Sequence, residues 1–325
     1  MAKDHYVAVT YLKHFVDRAA GDMLNAYSKH SGKQFNCFPK DVCHEVDGDT
    51  NPMFSGNPAL LGNFRSIFEP HWKKSVAAFV DRNNTHQDKL VVSAYMANLM
   101  VVTPAWQRIG AITYAKNMQG TLEFKRELHN EGVMTLDELM VDGIDMLSRG
   151  DLKLEVDTDY VKGIATQQLM NYALLIYNLD WCLLVNNTAH KFVTSDSPVA
   201  VQSLGEFSGS IRRFLPLTPE LCLVVELHGH KHKLVQEDKF AEELVKPPKG
   251  KIKRVQVTAG EVKEINVMQI KSAENLVFSS VASSGIAKVT KKYSMHKLDV
   301  IYREFPSPDG NGKYQGVHIC VRQVT

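Results

Sequence analysis

The sequence predicts an α+β fold in which a helical N-terminal half packs on a mainly antiparallel sheet built largely from the C-terminal half. Three observations carry this expectation. Apolar residues recur at helical intervals from about Pro58 to Arg149, and again over 157–180. After Trp181 the chain turns to short runs rich in β-branched and aromatic residues, broken by Asn, Ser and Pro. The two patterns come in blocks rather than in alternation, which separates α+β from regular βαβ architecture. One domain over 1–325 is expected, divisible into a mainly helical 1–180 and a 181–325 of mainly strands with one late helix.

Each element has its own signal. Residues 5–16 space His5, Tyr6, Tyr11, Leu12 and Phe15 as one buried helical stripe. Leu24 to Phe38 reads as a hairpin turning at Ser31-Gly32, and GDTNPMFSGNP as a surface loop. Pro70 kinks or restarts the helix over 58–82. Thr85 is placed to N-cap a helix that stops near Pro104, and the helix after it has a weak point at Gly120. Thr135 and Glu138 match a capping box for the next one. WCLLVNNT, KFVTSDSPVAV, RRFLPL and LCLVVELH are short strands, and KPPKGKIKR is a basic loop. EINVMQIKSAENLVFSSVAS returns to helix, and DVIYREF with YQGVHICVRQV forms a hairpin around PDGNG.

Composition narrows the class. At 325 residues, 44% hydrophobic and 23% charged, the chain is globular and long enough for a sizeable core. Thirty-eight Lys and Arg against 36 Asp and Glu leave a net charge of +2. That balance does not indicate a nucleic-acid partner, and leaves one open only through a local basic site. The five cysteines are odd in number and form no CxxC, which suits free thiols in a reducing compartment. No apolar h-region opens the chain and no uncharged apolar run reaches membrane-spanning length, so a cytoplasmic protein without a membrane partner is expected. There is neither GxxxxGK[ST] nor GxGxxG, so no nucleotide is implied and the cofactor stays unknown.

Several stretches together resemble a bacterial family of unknown function, domain-of-unknown-function family 4238. Its opening signature, His-Tyr-Val-Pro-Gln-Phe-Tyr-Leu, stands here as HYVAVTYLKHF from His5 to Phe15. Its Phe-Ile-Thr-Ser-Asp-Asn-Pro-Val stands as KFVTSDSPVAV from Lys191 to Val201. TPAWQR, FLPLTPELCLVV and INVMQIKSAENLVFSS are similar to further family segments, the last placing Asn266 seven positions before Ala273. Ala8, Val9, Thr10, Val102 and Ser197 depart from the family residues. The resemblance implies an architecture and no activity.

Both signatures begin with polar residues. His5 is a candidate base or ligand, with Tyr6 beside it; its imidazole serves equally as a cap or a core hydrogen bond. Thr194-Ser195-Asp196 precedes Pro198, where the chain must turn. Asp196 is therefore a candidate acid, base or orienter of His5, and Ser195 a candidate nucleophile, against the plainer reading of an Asx or ST turn. Thr194 and Arg108 complete the set as ligand-binding candidates, Arg108 as an anion clamp. Metal binding is not expected: HGHKH reads as an exposed loop, and Cys37, Cys43 and His44 lack a fourth ligand. Three functions follow. The set forms a hydrolase site for a phosphodiester or other polar substrate; or it belongs to a non-catalytic ligand- or protein-binding component of a mobile-element or phage-related module; or both signatures are architectural.

Overall fold

Side-chain parity in the long strands of the second half decides which way every layer faces. The computed structural model describes residues 3–54, 56–204, 210–228, 239–306 and 313–324. In chain order its strands and helices are β1 (Lys3–His5), α1 (Val9–Leu12), β2 (Leu24–Ser28), β3 (Gln34–Cys37), β4 (His44–Val46), α2 (Leu60–Phe68), α3 (Trp72–Val80), α4 (His86–Val102), α5 (Pro104–Asn130), α6 (Glu138–Arg149), α7 (Thr158–Gln167), α8 (Leu169–Asn178), β5 (Trp181–Val185), β6 (Thr194–Ser195), β7 (Ala200–Ser203), β8 (Ser210–Thr218), β9 (Leu221–His228), α9 (Phe240–Val245), β10 (Ile252–Gln256), α10 (Ala259–Ser272), β11 (Leu276–Ser279), α11 (Ser284–Lys292), β12 (His296–Pro306) and β13 (Lys313–Gln323). With 47% helix and 23% strand, the fold is α+β, as expected.

The main sheet runs β10-β5-β9-β8-β7, and a second runs β3-β2-β11-β6. All pairings are antiparallel except β10 with β5. On one face of the main sheet Trp181, Leu183, Leu215, Leu223 and Val225 enter the large core shared with α4 and α8. On the other, Cys182, Leu184, Phe214 and Val224 meet Val262, Ile265 and Met268 of α10. Alternation along each strand requires this division.

The helix α4 is buried almost all round, so its apolar residues need no single stripe. Thr85 and Asp88 form a capping box at its start, and Pro104 opens α5 at the position where a missing N–H costs nothing. The hairpin β2–β3 turns through Gly32 at φ +66°.

Several local expectations shift. The stripe over 5–16 divides into β1, α1 and a single 3-10 turn, because β1 pairs with β4 and leaves too few residues for a long helix. Helix α6 is capped by Asp137, whose carboxylate accepts from the Met140 N–H at 2.8 Å, and not by Thr135. Gln168 breaks the segment over 157–180 into α7 and α8. The second part of the chain holds α9, α10 and α11 among the described residues, where one late helix is expected from sequence. The closing helix ends at Ser272, and Leu276 to Ser279 become a central strand. The basic loop supplies β10. Its Gly250 lies so near the C-terminal end of α8 that an added Cβ would sit 1.9 Å from the Leu179 carbonyl oxygen. The ammonium of Lys89, 1% exposed, holds the two segments together, donating to Leu179 O at 2.9 Å and Gly250 O at 3.0 Å.

Two glycines should therefore respond oppositely to alanine. Gly250→Ala must push apart backbone that Lys89 clamps, and urea unfolding should show a loss of at least about 2 kcal/mol. Gly120 lies inside α5 with nothing within 4 Å of its added Cβ, so Gly120→Ala should gain about 0.5–1 kcal/mol.

Candidate functional site

The residues after β6 and the residues after α10 meet at one turn. Asp196, 4% exposed, donates its N–H to Leu276 O at 3.0 Å. Its carboxylate accepts from the N–H groups of Glu274 (2.9 Å), Asn275 (2.7 Å) and Leu276 (2.8 Å). These donors belong to the stretch where α10 stops and β11 begins. Burial pushes the Asp196 carboxyl up to about 6, against the pull of the three N–H groups.

Neighbouring signature residues are bonded in the same way. The Ser195 hydroxyl oxygen accepts from the Ser197 N–H at 3.1 Å and from the Gln269 amide at 2.7 Å, and Ser195 is fully buried. Gln269 also donates to Ser197 O at 3.0 Å. One turn back, Asn266 donates to Lys191 O at 2.8 Å and accepts from the Val193 N–H at 3.0 Å. Thr194 Oγ1 lies 2.7 Å from the Tyr11 hydroxyl, which itself donates to Pro216 O at 2.8 Å. Tyr11 thus links the opening signature to the second one.

Arg108 finds its anion within the chain. Its Nε and Nη2 reach the two carboxylate oxygens of Glu274 at 3.3 and 3.0 Å, and Nη2 donates to Leu298 O at 2.7 Å. Lys297 adds a 2.6 Å bond to the same carboxylate. Burial works against ionised Glu274, yet these two cations hold its carboxyl below the usual range. Lys29, 2% exposed, closes the opposite side of the turn. Its ammonium donates to Ile270 O at 2.9 Å, Lys271 O at 3.3 Å, Ala273 O at 2.7 Å, and also to His296 O. A cation thus meets the C-terminal carbonyls of α10, where the helix dipole favours positive charge. Burial brings the Lys29 ammonium down to about 8.

His5 stands apart from this cluster. Its Nε2 lies 3.1 Å from Lys40 O, its ring meets His44 edge-on at 5.5 Å, and no hydrogen bond joins it to Asp196 among the described residues. Its carbonyl accepts from Arg65, a buried guanidinium that also binds Asp49 and Glu69. The Tyr6 N–H donates to Cys43 O at 2.9 Å, and burial, together with the charge of nearby Asp196, raises both the Tyr6 phenol and the Cys43 thiol. The fold therefore brings Tyr6, Asp196, Thr194 and Ser195 towards one region, and Arg108 reaches it through Glu274. Lys29, Tyr11, Gln269 and Glu274 escape sequence reasoning. Only the periodicity of Asn266 and Gln269 on α10, continued by Ala273 at its C-cap, hints at a common face.

Two openings adjoin these elements. A polar cavity of about 470 Å³ is lined by Lys29, His30, Glu274, Asn275, Ser294 and Lys297, among others. A groove of about 980 Å³ lies between α10 and the main sheet. Cys182, Leu184, Phe214 and Val224 make its apolar floor, with Lys249, Lys251 and Lys253 along its β10 lip. Among the described residues no three His, Cys, Asp or Glu side chains are grouped to hold a metal ion. His228 ends β9, and the rest of HGHKH lies outside the described residues. Among the described residues no helix is long and apolar enough to cross a membrane.

Because Glu274 ionises more readily folded than unfolded, its contribution is present above its ordinary value of about 4.5 and is lost as pH falls through the lowered folded value. Comparing wild type with Glu274→Gln by denaturant unfolding at several pH values should give a stability gap at pH 7 that narrows below pH 4.5.

No curated protein and no solved structure matches the chain. A family model described as "Protein of unknown function (DUF4238)" matches residues 3–283, spanning both signatures, the turn held by Asp196 and the helix α10. The chain belongs to that family.

Proposed function

We propose that this protein is a non-catalytic binding protein whose ligand, an amphipathic organic anion, lies in the groove between α10 and the main sheet. The observation that carries this reading is the groove's composition. Its floor is an apolar sheet face; Asp180, Glu226, Glu261 and Glu264 also line it, but none of them lies within ion-pairing distance of the Lys249, Lys251 or Lys253 ammonium on its lip among the described residues. Arg212, deeper in, is paired with Glu226 at 3.2 Å. An apolar body on the floor with an anionic group at the lip satisfies both features. The side chains of His5, Thr194, Ser195, Asp196 and Arg108 meanwhile each hydrogen-bond a neighbour within the chain. A mobile-element or phage-related setting is compatible with a binding role.

Titration with 1-anilinonaphthalene-8-sulfonate, an apolar ring system carrying one sulfonate, tests the groove. Saturable fluorescence enhancement is expected in the folded protein, at least about tenfold weaker in Leu184→Glu, which puts a carboxylate on the floor. Equal enhancement in that variant, with its circular dichroism unchanged, sinks the groove as the site.

The alternative reading, a hydrolase for a phosphodiester or other polar substrate, is favoured by one observation: a carboxyl raised to about 6 beside the Tyr6–Cys43 pair. The two readings diverge at Asp196→Ala. As a structural anchor its loss leaves three buried N–H groups without an acceptor, and stability should fall by about 3 kcal/mol or more. A variant that keeps its unfolding midpoint while losing phosphodiesterase or esterase activity in the parent establishes the hydrolase instead.

A further inference from the structure

The opposite face of the main sheet holds a cation that the binding reading does not use. Arg213 sits in the middle of β8, opposite Val201 on one side and Val225 on the other. Strand alternation sends Arg212 to the groove and Arg213 into the core, where Leu215, Val201 and Val225 lie. The residue is 8% exposed. Its Nε and Nη1 are shut off from water without a hydrogen-bond partner, and among the described residues no carboxylate pairs with it. Its guanidinium carbon lies 5.7 Å from the ring centroid of Trp106, also 8% exposed. The indole Nε1–H of Trp106 is a second buried donor with no acceptor.

Trp106 belongs to the first turn of α5, a helix of 27 residues. That turn has no side-chain cap, because the Thr103 hydroxyl donates backwards to Leu99 O at 2.8 Å. Burial lowers Arg213 to about 10, against an electrostatic contribution from the Tyr172 phenol that raises it, so it remains charged at neutral pH. A stacked indole returns part of what a desolvated guanidinium loses, but it provides no acceptor for the N–H groups. A helix N-terminus, an unpaired guanidinium and an orphan indole N–H favour the same complement, negative charge carried on oxygen.

We propose that Arg213, Trp106 and the first turn of α5 form a binding site for a small oxyanion, a carboxylate or phosphoryl group that reaches the guanidinium from the surface. The site is separate from the groove, so either stands if the other fails. The full-length chain is melted by differential scanning fluorimetry in sodium chloride, sodium acetate and sodium phosphate at matched ionic strength, with tryptophan emission followed in parallel. Phosphate or acetate should raise the melting temperature saturably, by about 3 °C or more over chloride, and shift the emission. A rise with phosphate alone assigns a phosphoryl group, and a rise with acetate alone a carboxylate. Arg213→Met should abolish the increment, while Arg149→Met, altering an exposed arginine paired with Asp151, should keep it. No saturable increment over chloride, or an equal one in Arg213→Met, overturns the proposal. Should Arg213→Met not fold, Trp106→Phe decides: loss of the anion-dependent emission change supports the site, and its full persistence overturns it.

Discussion

The carboxylate of Asp196, bonded to three successive backbone N–H groups, is the constraint on which the junction of sheet and helix depends. Helix α10 ends at Ser272 and β11 begins at Leu276, so the chain changes direction within three residues in a buried place. Backbone donors exposed by such a change need acceptors, and buried ones left without them are costly. Asp196 supplies acceptors on the N–H side, and Lys29 supplies a donor for the carbonyls on the other side. One buried anion and one buried cation thus close the two ends of a single turn. Neither charge faces the other as a simple ion pair; each is solvated by backbone dipoles. Asn266 and Gln269, on the same face of α10, extend this attachment along Lys191 to Ser197.

From that junction the rest of the architecture follows by packing. The main sheet is buried against α4 and α8 on one side and half covered by α10 on the other. A helix covers less width than a five-stranded sheet, so part of the second face remains open as the groove. The same alternation explains why adjacent arginines have opposite fates. Arg212 meets Glu226 across the strand pair on the groove side, whereas Arg213 enters an apolar layer where no cross-strand neighbour carries charge.

The family signatures take on physical content in this light. The Thr-Ser-Asp segment is a set of backbone acceptors and donors that fixes α10, and Tyr11 ties the opening signature to it through Thr194 and Pro216. Arg108 acts on the turn indirectly, through Glu274. The sequence marked Asp196 and Arg108 as positions of interest, and the turn reading of Asp196 anticipated a carboxylate bound to backbone N–H groups. It did not indicate that those N–H groups lie some eighty positions further along the chain. Nor did it distinguish Lys29 from the ordinary lysines of a hairpin turn, because local context carries no record of the distant carbonyls that enclose it.

What the sequence determined by itself is what short-range physics controls. The α+β class, the start of α4 at Thr85, the opening of α5 at Pro104 and the β2–β3 hairpin all rest on residues within a few positions of one another. Tertiary structure decided the rest. KPPKGKIKR became an edge strand because β5 and the Lys89 ammonium were there to receive it, and Leu276 to Ser279 became a strand because β2 and β6 flank it. The position of His5, bonded to Lys40 O, and the lack of an acceptor for Arg213 Nε and Nη1 among the described residues are set in the same way. Hydrophobic period reveals which face of an element is buried but not which distant partner buries it, and the polar groups of this protein are defined by those partners.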